Sequence, residues 1–600
     1  MSSSNVADWT KLPRYAVHDV LMPYLRHLVD NDRASRLTWN EIFLGMFLDM
    51  EGVSILPSRG ANQSTPFAGS PGVPLNVVQP AVETAESRIS QARPRPFFKG
   101  VGADPRLRRK AKNLQKFVDG TFDKVKAYPI GAQLLKDSAI FGTAAYKSIL
   151  VNGKPQIERL LSAEVLVDDS LGMGTNPFEQ GEVREVSRAA LINAFKKNEQ
   201  QIMALAGVDS AAPTAFYDLV NVYEWTRLPN GKNKGRKVIV IQGATLSDEE
   251  YTKDYFDIGI LRWSNHPTSF FGVGIPQMLM AIQTSINKQV RAVEQNLFLH
   301  NNPRMLLPEQ GNIVPAQLRS VPGTVLRVQK GLEPTLWVTQ IMPPEVYAWI
   351  ENMARKANDR VGISAATMGA KKEPGIDSGK GLEELSELQS DRLASVSMRY
   401  EEMYLDMATR LIDTVEQAFE QDPEFSVVAK DRSKAEKMFW RDIRMPRDTY
   451  EVELLAANFI SRTPGAAFTD IERLLKMGII DDPADAAEML DFPDIKSALG
   501  DRTAAKEVLE QQIEDIYEHG QDAYVSPNPY GGASGLQLGL KVYYAAYCRA
   551  QLDDVPQDRV DLIQQYMDEC MALLKSLEPP PAPPAPPMAP PTQAPMGAPN

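Results

Sequence analysis

From Gln277 to Asn302 the chain carries neither proline nor glycine, and prolines stand at both ends of that run, Pro276 and Pro303. Within it Ile275, Leu279, Ile282, Ile286, Val290, Val293 and Leu297 follow one another at steps of 4, 3, 4, 4, 3 and 4. That is close to the heptad repeat of helices packed side by side. Pro276 suits the first turn of a helix, whose missing N–H is not needed there, and Pro303 closes it. At a rise of ~1.5 Å per residue, a helix from Ile275 to Asn301 is a rod of roughly 40 Å. The other face carries Gln283, Asn287, Lys288, Arg291 and Gln295, so the rod is expected to pack on neighbours while lining a polar passage. Periodicity alone leaves two readings open: a core helix of one domain, and a helix packed between subunits.

The segments around the rod set its context. Between Arg304 and Met342 short β-prone runs surround prolines: Ile313-Val314, Val325-Leu-Arg-Val328 and Leu336-Trp-Val338. Pro343-Pro344 then opens a second helix with Val346, Ile350, Met353, Ala357 and Val361 on one face. Residues 362–381 are rich in glycine and lysine and predict a loop. A long helix is expected from Leu382 to Phe419, with Val396, Tyr400, Met403, Met407, Leu411 and Val415 along one stripe. Upstream, residues 140–270 alternate strand-like runs with turns and predict a small mixed α/β domain, with Asn230-Gly231 as the strongest hairpin signal. The first 50 residues read as helical, with Thr38-Trp-Asn-Glu41 as a capping box ahead of Ile42, Phe43, Met46 and Phe47. Gly52 to Pro80 reads as a long loop. A helix from Pro105 places Leu107, Ala111, Leu114 and Val118 on one stripe and the basic run Arg106-Leu-Arg-Arg-Lys-Ala-Lys112 largely off it. More helix follows Thr503, interrupted near Pro527–Gly535. The last 22 residues, from Pro579, hold 11 prolines and predict a disordered, extended tail.

Composition narrows the function classes. With 600 residues the chain needs several domains. Its 43% hydrophobic and 24% charged content is that of an ordered protein. Two cysteines, Cys548 and Cys570, are too few for a disulfide scaffold and fit a reducing compartment. The N-terminal sequence lacks the basic and apolar regions of a signal peptide, and no run approaches the length of a membrane span. The 65 basic and 77 acidic residues leave a net charge of −12, a poor balance for gripping phosphate but a suitable one for a wall past which DNA slides.

Signatures of catalysis are missing. There is no phosphate loop, and Gly172-Met-Gly174 and Gly272-Val-Gly274 do not extend into a dinucleotide fingerprint. The histidines His18, His27, His266, His300 and His519 stand singly. Glu383, Glu384, Glu387 and Asp391 could hold magnesium in a nuclease, although helical spacing fits a solvated face or an inter-chain ionic strip. Asp168-Asp169 is a conceivable carboxylate pair, and equally a strand-end turn. The basic run from Arg106 to Lys112 could touch nucleic acid, but without interleaved aromatics it fits a solvated helix face better.

The order of these parts, together with Arg106-Leu-Arg-Arg-Lys-Ala-Lys-Asn-Leu-Gln-Lys-Phe117, Asp137-Ser-Ala-Ile-Phe-Gly-Thr143, Val165-Leu-Val-Asp-Asp169, and Asp391-Arg-Leu393 through Arg399-Tyr-Glu-Glu402, resembles the portal proteins of tailed bacteriophages, the head-to-tail connectors. The resemblance covers roughly residues 15 to 575. It implies a mixed α/β multi-domain portal fold of wing, stem, clip and crown, with long helices, forming a ring of about twelve copies. Carried onto this sequence it implies an N-terminal wing at 1–270, stem helices at 271–303 and 343–361 around a clip at 304–342, and a tunnel loop at 362–381. The long helix and C-terminal wing would occupy 382–500, a helical crown 501–577, and the disordered tail 578–600.

The implied function is a non-enzymatic channel at one capsid vertex, needing no cofactor or metal. Terminase would drive double-stranded DNA through it during packaging, and the genome would leave through it at ejection. Lys371, Lys372, Glu373, Asp377 and Lys380 would face DNA from the tunnel loop, and Lys288 and Arg291 from the stem. Arg319, Arg327 and Lys330 of the clip would meet the terminase large subunit and then head-tail adaptors or tail proteins. Major capsid and scaffold proteins would be further partners, the virion the final location and the host cytoplasm the place of assembly. Two readings from other classes stand beside it: a metal-dependent nucleic-acid processing enzyme using the acidic residues above, and a structural capsid or scaffold protein.

Overall fold

The computed structural model of the chain describes residues 9–48, 75–91, 93–100, 105–169, 177–205, 218–231, 234–308, 335–362, 379–431, 434–454, 505–506, 508–517, 519–528, 531–552 and 555–577. They fall into two units. One comprises Met1–Pro96, Thr121–Phe425 and Leu454–Ala457, the other Phe97–Gly120, Ser426–Glu453 and Asn458–Asn600. Among the described residues no helix is long and apolar enough to cross a membrane.

The first unit begins with helices α1 (Arg14–Leu28) and α2 (Ala34–Leu48), joined by a π-helical turn over Val29–Arg33. The expected capping box at Thr38 is not formed. Because the chain stays helical from α1 into α2, Thr38 lies inside α2 and its hydroxyl donates to the Ala34 carbonyl at 3.1 Å. The apolar residues assigned to that helix do turn inward, with Phe43, Met46 and Phe47 buried. Helix α3 (Val78–Ser90) begins inside the stretch read as loop. Asn76 holds its start, accepting from the amides of Val78 at 2.8 Å and Gln79 at 3.1 Å.

After β1 (Pro96–Gly100) the chain enters α4 (Pro105–Val125), and then α5 (Ala127–Phe141). A three-stranded antiparallel sheet in the order β3-β2-β9 comes next, built from β2 (Thr143–Val151), β3 (Lys154–Leu160) and β9 (Ile258–Arg262). Between them runs a five-stranded sheet in the order β4-β5-β6-β7-β8: β4 (Val165–Leu166), β5 (Glu179–Ser187), β6 (Leu219–Arg227), β7 (Gly235–Ile241) and β8 (Ala244–Tyr251). Short helices α6 (Arg188–Ala194) and α7 (Glu199–Met203) come after β5. Each described pairing within these two sheets is antiparallel.

Turn chemistry explains the tightest hairpin. Asn152 and Gly153, with φ of 51° and 73°, join β2 to β3, with Val151 opposite Lys154, the two-residue connection that requires left-handed backbone at both positions. Asn230-Gly231 also joins neighbouring strands, β6 and β7, by a longer loop. Helix α1 buries Val17, Leu21, Met22, Leu25 and Leu28 against Leu166, Val183, Trp225, Val238 and Val240 of the larger sheet.

Helix α8 (Ile275–Asn301), hairpin strands β10 (Arg304–Leu306) and β11 (Thr335–Trp337), helix α9 (Pro344–Val361) and helix α10 (Gly379–Gln421) complete this unit. Helix α10 turns Leu393, Val396, Tyr400, Met403, Tyr404, Met407, Leu411 and Val415 inward. Gly131 of α5 makes room for it, since a Cβ there would stand 2.0 Å from the Tyr404 hydroxyl oxygen.

In the second unit, β12 (Ser426–Asp431) and β13 (Lys434–Phe439) form an antiparallel hairpin. A turn of helix α11 (Trp440–Ile443) comes next, and β14 (Tyr450–Leu454) pairs with β1. Phe117 packs its ring 5.1 Å from Trp440, and Phe98 lies 5.7 Å from Tyr450. The stripe assigned to α4 is largely core, with Ala111, Leu114 and Val118 buried, and Lys112 on its exposed side lies 3.4 Å from Glu514. Helices α12 (Gly532–Leu552) and α13 (Gln557–Leu577) pack together, with Tyr543 stacked on Tyr566 at 3.6 Å.

Candidate subunit interface and channel elements

The rod predicted from the heptad-like pattern is α8, and its two halves differ. The root is held by a close crossing of glycines. Gly142, at φ 81°, ends α5, and a Cβ on it would stand 2.2 Å from the Gly272 carbonyl oxygen. A Cβ on Gly274 would stand 2.7 Å from the Ile140 carbonyl oxygen. The crossing is fixed by the Gly272 amide donating to the Thr143 hydroxyl at 2.7 Å and the Trp263 amide donating to the Gly142 carbonyl at 3.0 Å. Gly272-Val-Gly274, which led to no nucleotide motif in the sequence, thus serves backbone packing.

Beyond the root, Ile275, Leu279 and Ile286 are fully buried. Gln283 was expected on a polar passage, yet it is 2% exposed. Its amide donates to the Leu75 carbonyl at 2.9 Å and to Asn287 Oδ1 at 2.8 Å, and its carbonyl oxygen accepts from the Val77 amide at 3.0 Å. A buried amide side chain must satisfy both ends, and here it binds the segment leading into α3. Lys288 and Arg291 are exposed.

Apart from buried Val293 and Ala357, the far half of α8, the described hairpin strands after it and α9 are largely open to solvent. Leu297 and Phe298 on α8, Met305 and Leu306 on β10, Leu336 and Trp337 on β11, then Val338, Ile341, Tyr347 and Trp349 are exposed large apolar side chains. Helix α9 buries a single residue, Ala357, along its 18 residues. The two helices hold the hairpin by polar staples. Asn296 donates to the Gln340 carbonyl at 3.0 Å and accepts from the Met342 amide at 3.1 Å, and His300 Nδ1 donates to the Thr339 carbonyl at 2.9 Å. Arg304 lies 5.7 Å from the centre of the Trp337 ring. So many apolar side chains facing water on one hairpin of helices mark a surface made to be covered.

The remaining expected site residues differ in where they fall. Lys371, Lys372, Glu373 and Asp377, and Arg319, Arg327 and Lys330, lie outside the described residues, as do the β runs expected at 313–314 and 325–328. Lys380, Glu383, Glu384, Glu387 and Asp391 fall in the first turns of α10, whose side chains are likewise outside the described ones. Asp168 and Asp169 are both engaged: Asp168 accepts from the Tyr24 hydroxyl at 3.0 Å, and Asp169 from the Ser269 hydroxyl and the Phe270 amide, each at 2.8 Å. They fix loops in place of forming an open carboxylate pair. Among the described residues no group of three or more His, Cys, Asp or Glu side chains is arranged to hold a metal ion.

A chain of charges, buried at Lys147 and Glu182 and half-buried from there to Asp413, was not anticipated from sequence. The register of β5 and β6 places Glu182 directly opposite Glu224, an arrangement of like charges that is destabilising by itself. Lys147 of β2 resolves it, with Nζ 2.9 Å from Glu182 and 2.8 Å from Glu224. The chain continues through Lys237 to Asp257, Lys253 and Asp413 of α10, at 3.0, 2.7, 3.1 and 3.0 Å. Burial alone would raise the carboxyls of Glu224 and Asp257, but the flanking lysines hold both below the usual carboxylate range. Burial likewise opposes the charge on Lys237, and Glu224 and Asp257 outweigh it to raise the ammonium. An inward charged position on an otherwise apolar strand was the available sequence signal.

Residues 198–388, running from α7 through β6–β9, α8, the β10–β11 hairpin and α9 to the first turns of α10, match the family model described as phage SU10 portal protein. The match supports a phage portal protein. No curated protein matches the chain. The portal-matched segment contains the whole exposed apolar hairpin of helices, the feature of the first unit least suited to a solitary chain.

Proposed function

We propose that this chain is the subunit of a portal ring of about twelve copies at one capsid vertex. The ring forms the channel through which double-stranded DNA is packaged by terminase and later ejected, and to which the tail attaches. The observation that carries the reading is the uncovered α8–β10–β11–α9 hairpin within the portal-matched segment. A ring closed by rotation uses a heterologous contact, and each copy offers this apolar surface to its neighbour.

In this reading residues 1–270 belong to the wing, α8 and α9 are the stem around a clip at 304–342, 362–381 is the tunnel loop, 382–500 the long helix and C-terminal wing, 501–577 the crown and 578–600 the proline-rich tail. Lys288 and Arg291 face the channel from the stem, and Lys371, Lys372, Glu373, Asp377 and Lys380 from the tunnel loop. Arg319, Arg327 and Lys330 meet the terminase large subunit and then adaptor or tail proteins. Capsid and scaffold proteins surround the ring in the virion, after assembly in the host cytoplasm. The net charge of −12 suits a wall past which a polyanion moves without being held. The protein is a conduit, not an enzyme, and the energy for transport comes from a separate motor.

The test is negative-stain electron microscopy with the mass in solution measured on the same sample. Closed rings of about twelve subunits are expected, and a Leu336→Ser/Trp337→Ser variant should stay folded, by circular dichroism, while losing them. A wild-type protein that cleaves plasmid DNA with magnesium, or assembles into sheets or shells, would refute the reading.

A further inference from the structure

Two basic stretches far apart in the sequence meet in the second unit. Residues 105–116, the start of α4, hold six basic residues and no acidic one, and residues 426–447 hold seven basic and three acidic, in a chain whose net charge is −12. Phe117 of α4 packs on Trp440 at 5.1 Å, and β1, which precedes α4, pairs with β14. Lys110 stands on the same stripe of α4 as Leu114 and Phe117, yet it is exposed where they are buried. It lies about 10 Å along the helix from Phe117. Lys112 is taken by Glu514 at 3.4 Å and is not part of this stripe. The fold thus brings the run from Arg106 beside a second basic stretch that contains aromatic residues, which the run itself lacks.

The second stretch has an ordered outer face. In the β12–β13 register Val427 lies opposite Met438, both buried, and the alternate pairs, Val428 with Lys437 and Ser426 with Phe439, face the other way. Lys437 is exposed, and Phe439 is half-buried. Lys437 Nζ lies 5.0 Å and the Arg441 guanidinium 5.2 Å from the centre of the Phe439 ring, so one aromatic ring gathers two cations. Arg444 and Arg447, also exposed, follow. Asp442 lies 3.2 Å from Arg441 Nε, with both side chains well exposed, and an ion pair of that kind holds weakly. Protein partners are met by an apolar centre from which lysine is depleted, whereas on the described part of this hairpin Val428 is the one exposed large apolar side chain. Separate cations on long stems match the regular phosphates of a nucleic acid instead.

We propose that this face, Lys110 of α4 together with Lys437 and Arg441 around Phe439, holds the phosphate backbone of double-stranded DNA without reading its sequence. None of these residues belongs to the segments assigned to the stem or the tunnel loop. The face therefore grips DNA apart from any channel past which DNA slides, and it does not depend on whether the protein forms rings.

The experiment measures binding of the full chain to short fluorescent duplexes of unrelated sequence by anisotropy, from about 50 to 200 mM salt. Binding should be equal for the duplexes, with the logarithm of affinity falling linearly with the logarithm of salt. Lys110→Gln/Lys437→Gln/Arg441→Gln should flatten that slope by about 3, close to one for each phosphate contact removed, and weaken binding at least about tenfold at the lowest salt. If this variant does not fold, by circular dichroism, Lys110→Gln/Lys437→Gln is read in the same way, with a flattening of about 2. Lys541→Gln/Lys575→Gln, which removes exposed lysines of α12 and α13, should leave the slope as it is. Absence of salt-dependent binding, an unchanged slope in the folded first variant, or an equal flattening in the α12/α13 variant overturns the inference. Displacement of the duplex by polyglutamate at equal charge also overturns it and assigns the face to an acidic protein. A monomer that binds as expected supports the inference and counts against the ring alone.

Discussion

Replacing Gly142 by alanine probes the root of α8, and Gly153 supplies the control. Both residues have positive φ, 81° and 73°, so alanine at either is placed in the left-handed region at a cost of about 1–2 kcal/mol. Around Gly153 a Cβ meets nothing within 4 Å, whereas at Gly142 it meets the Gly272 carbonyl oxygen at 2.2 Å and carbon at 2.7 Å, and the Gly274 nitrogen at 2.9 Å. Those atoms are backbone and cannot rotate away, so the chain must shift. Overpacking of this kind adds about 1–3 kcal/mol. Stretching the Gly272–Thr143 and Trp263–Gly142 hydrogen bonds adds about 1 kcal/mol more. Gly142→Ala should therefore destabilise the first unit by about 3–6 kcal/mol and Gly153→Ala by only about 1–2 kcal/mol. Denaturant unfolding followed by the fluorescence of the buried Trp225 and Trp263 reads the difference. Equal midpoints for the two variants would refute the claim that backbone contact at the α5–α8 crossing holds the rod.

Two further substitutions test the buried charges. Burial raises Asp137 to about 6 despite Arg159 at 3.2 Å and nearby Lys136. Its folded value thus lies above the unfolded one, and stability is fully present below about pH 4 and declines as pH rises through about 6. Asp137→Asn should raise the melting temperature at pH 8, by no more than about 3 kcal/mol in stability, with the gain shrinking toward pH 4; a gain independent of pH would count against this account. Lys147→Met leaves Glu182 paired only with Arg184 and Glu224 only with Lys237, each at 3.0 Å, and should cost about 1.5–3 kcal/mol, the worth of a hydrogen bond to a charged group, while adding Glu182→Gln and Glu224→Gln should recover part of the loss in the same unfolding assay; no recovery would mean that Lys147 acts by packing.

The long elements were legible because their signals are local. Prolines at both ends of α8 and at the start of α9, each with an apolar stripe, gave Ile275–Asn301 and Pro344–Val361, and the third stripe gave α10, which extends a few residues beyond its expected limits to Gly379 and Gln421. Local signals also misled. Thr38 looked like a cap because a cap is written in four residues, while the π-helical turn that carries α1 into α2 depends on packing beyond them. Gln283 looked like a passage residue because polarity says nothing of burial, and its partners, Leu75 and Val77, are some two hundred positions away. Separation in sequence also hid the charge chain, since Lys147 meets Glu182 and Glu224 at 35 and 77 residues away. Asn152-Gly153 shows the opposite case: the signal for a two-residue hairpin was present in the sequence but was outranked by Asn230-Gly231, whose loop is longer.

On the portal reading, helix α9 makes concentration part of the fold. A helix of 18 residues with only Ala357 buried has little tertiary packing to hold it, and most helical stability in proteins comes from packing of an amphipathic face rather than from propensity. If neighbouring copies supply the missing contacts, the order of this helix becomes a property of the population: it strengthens as subunits accumulate and weakens on dilution, at constant temperature and without any change in the chain.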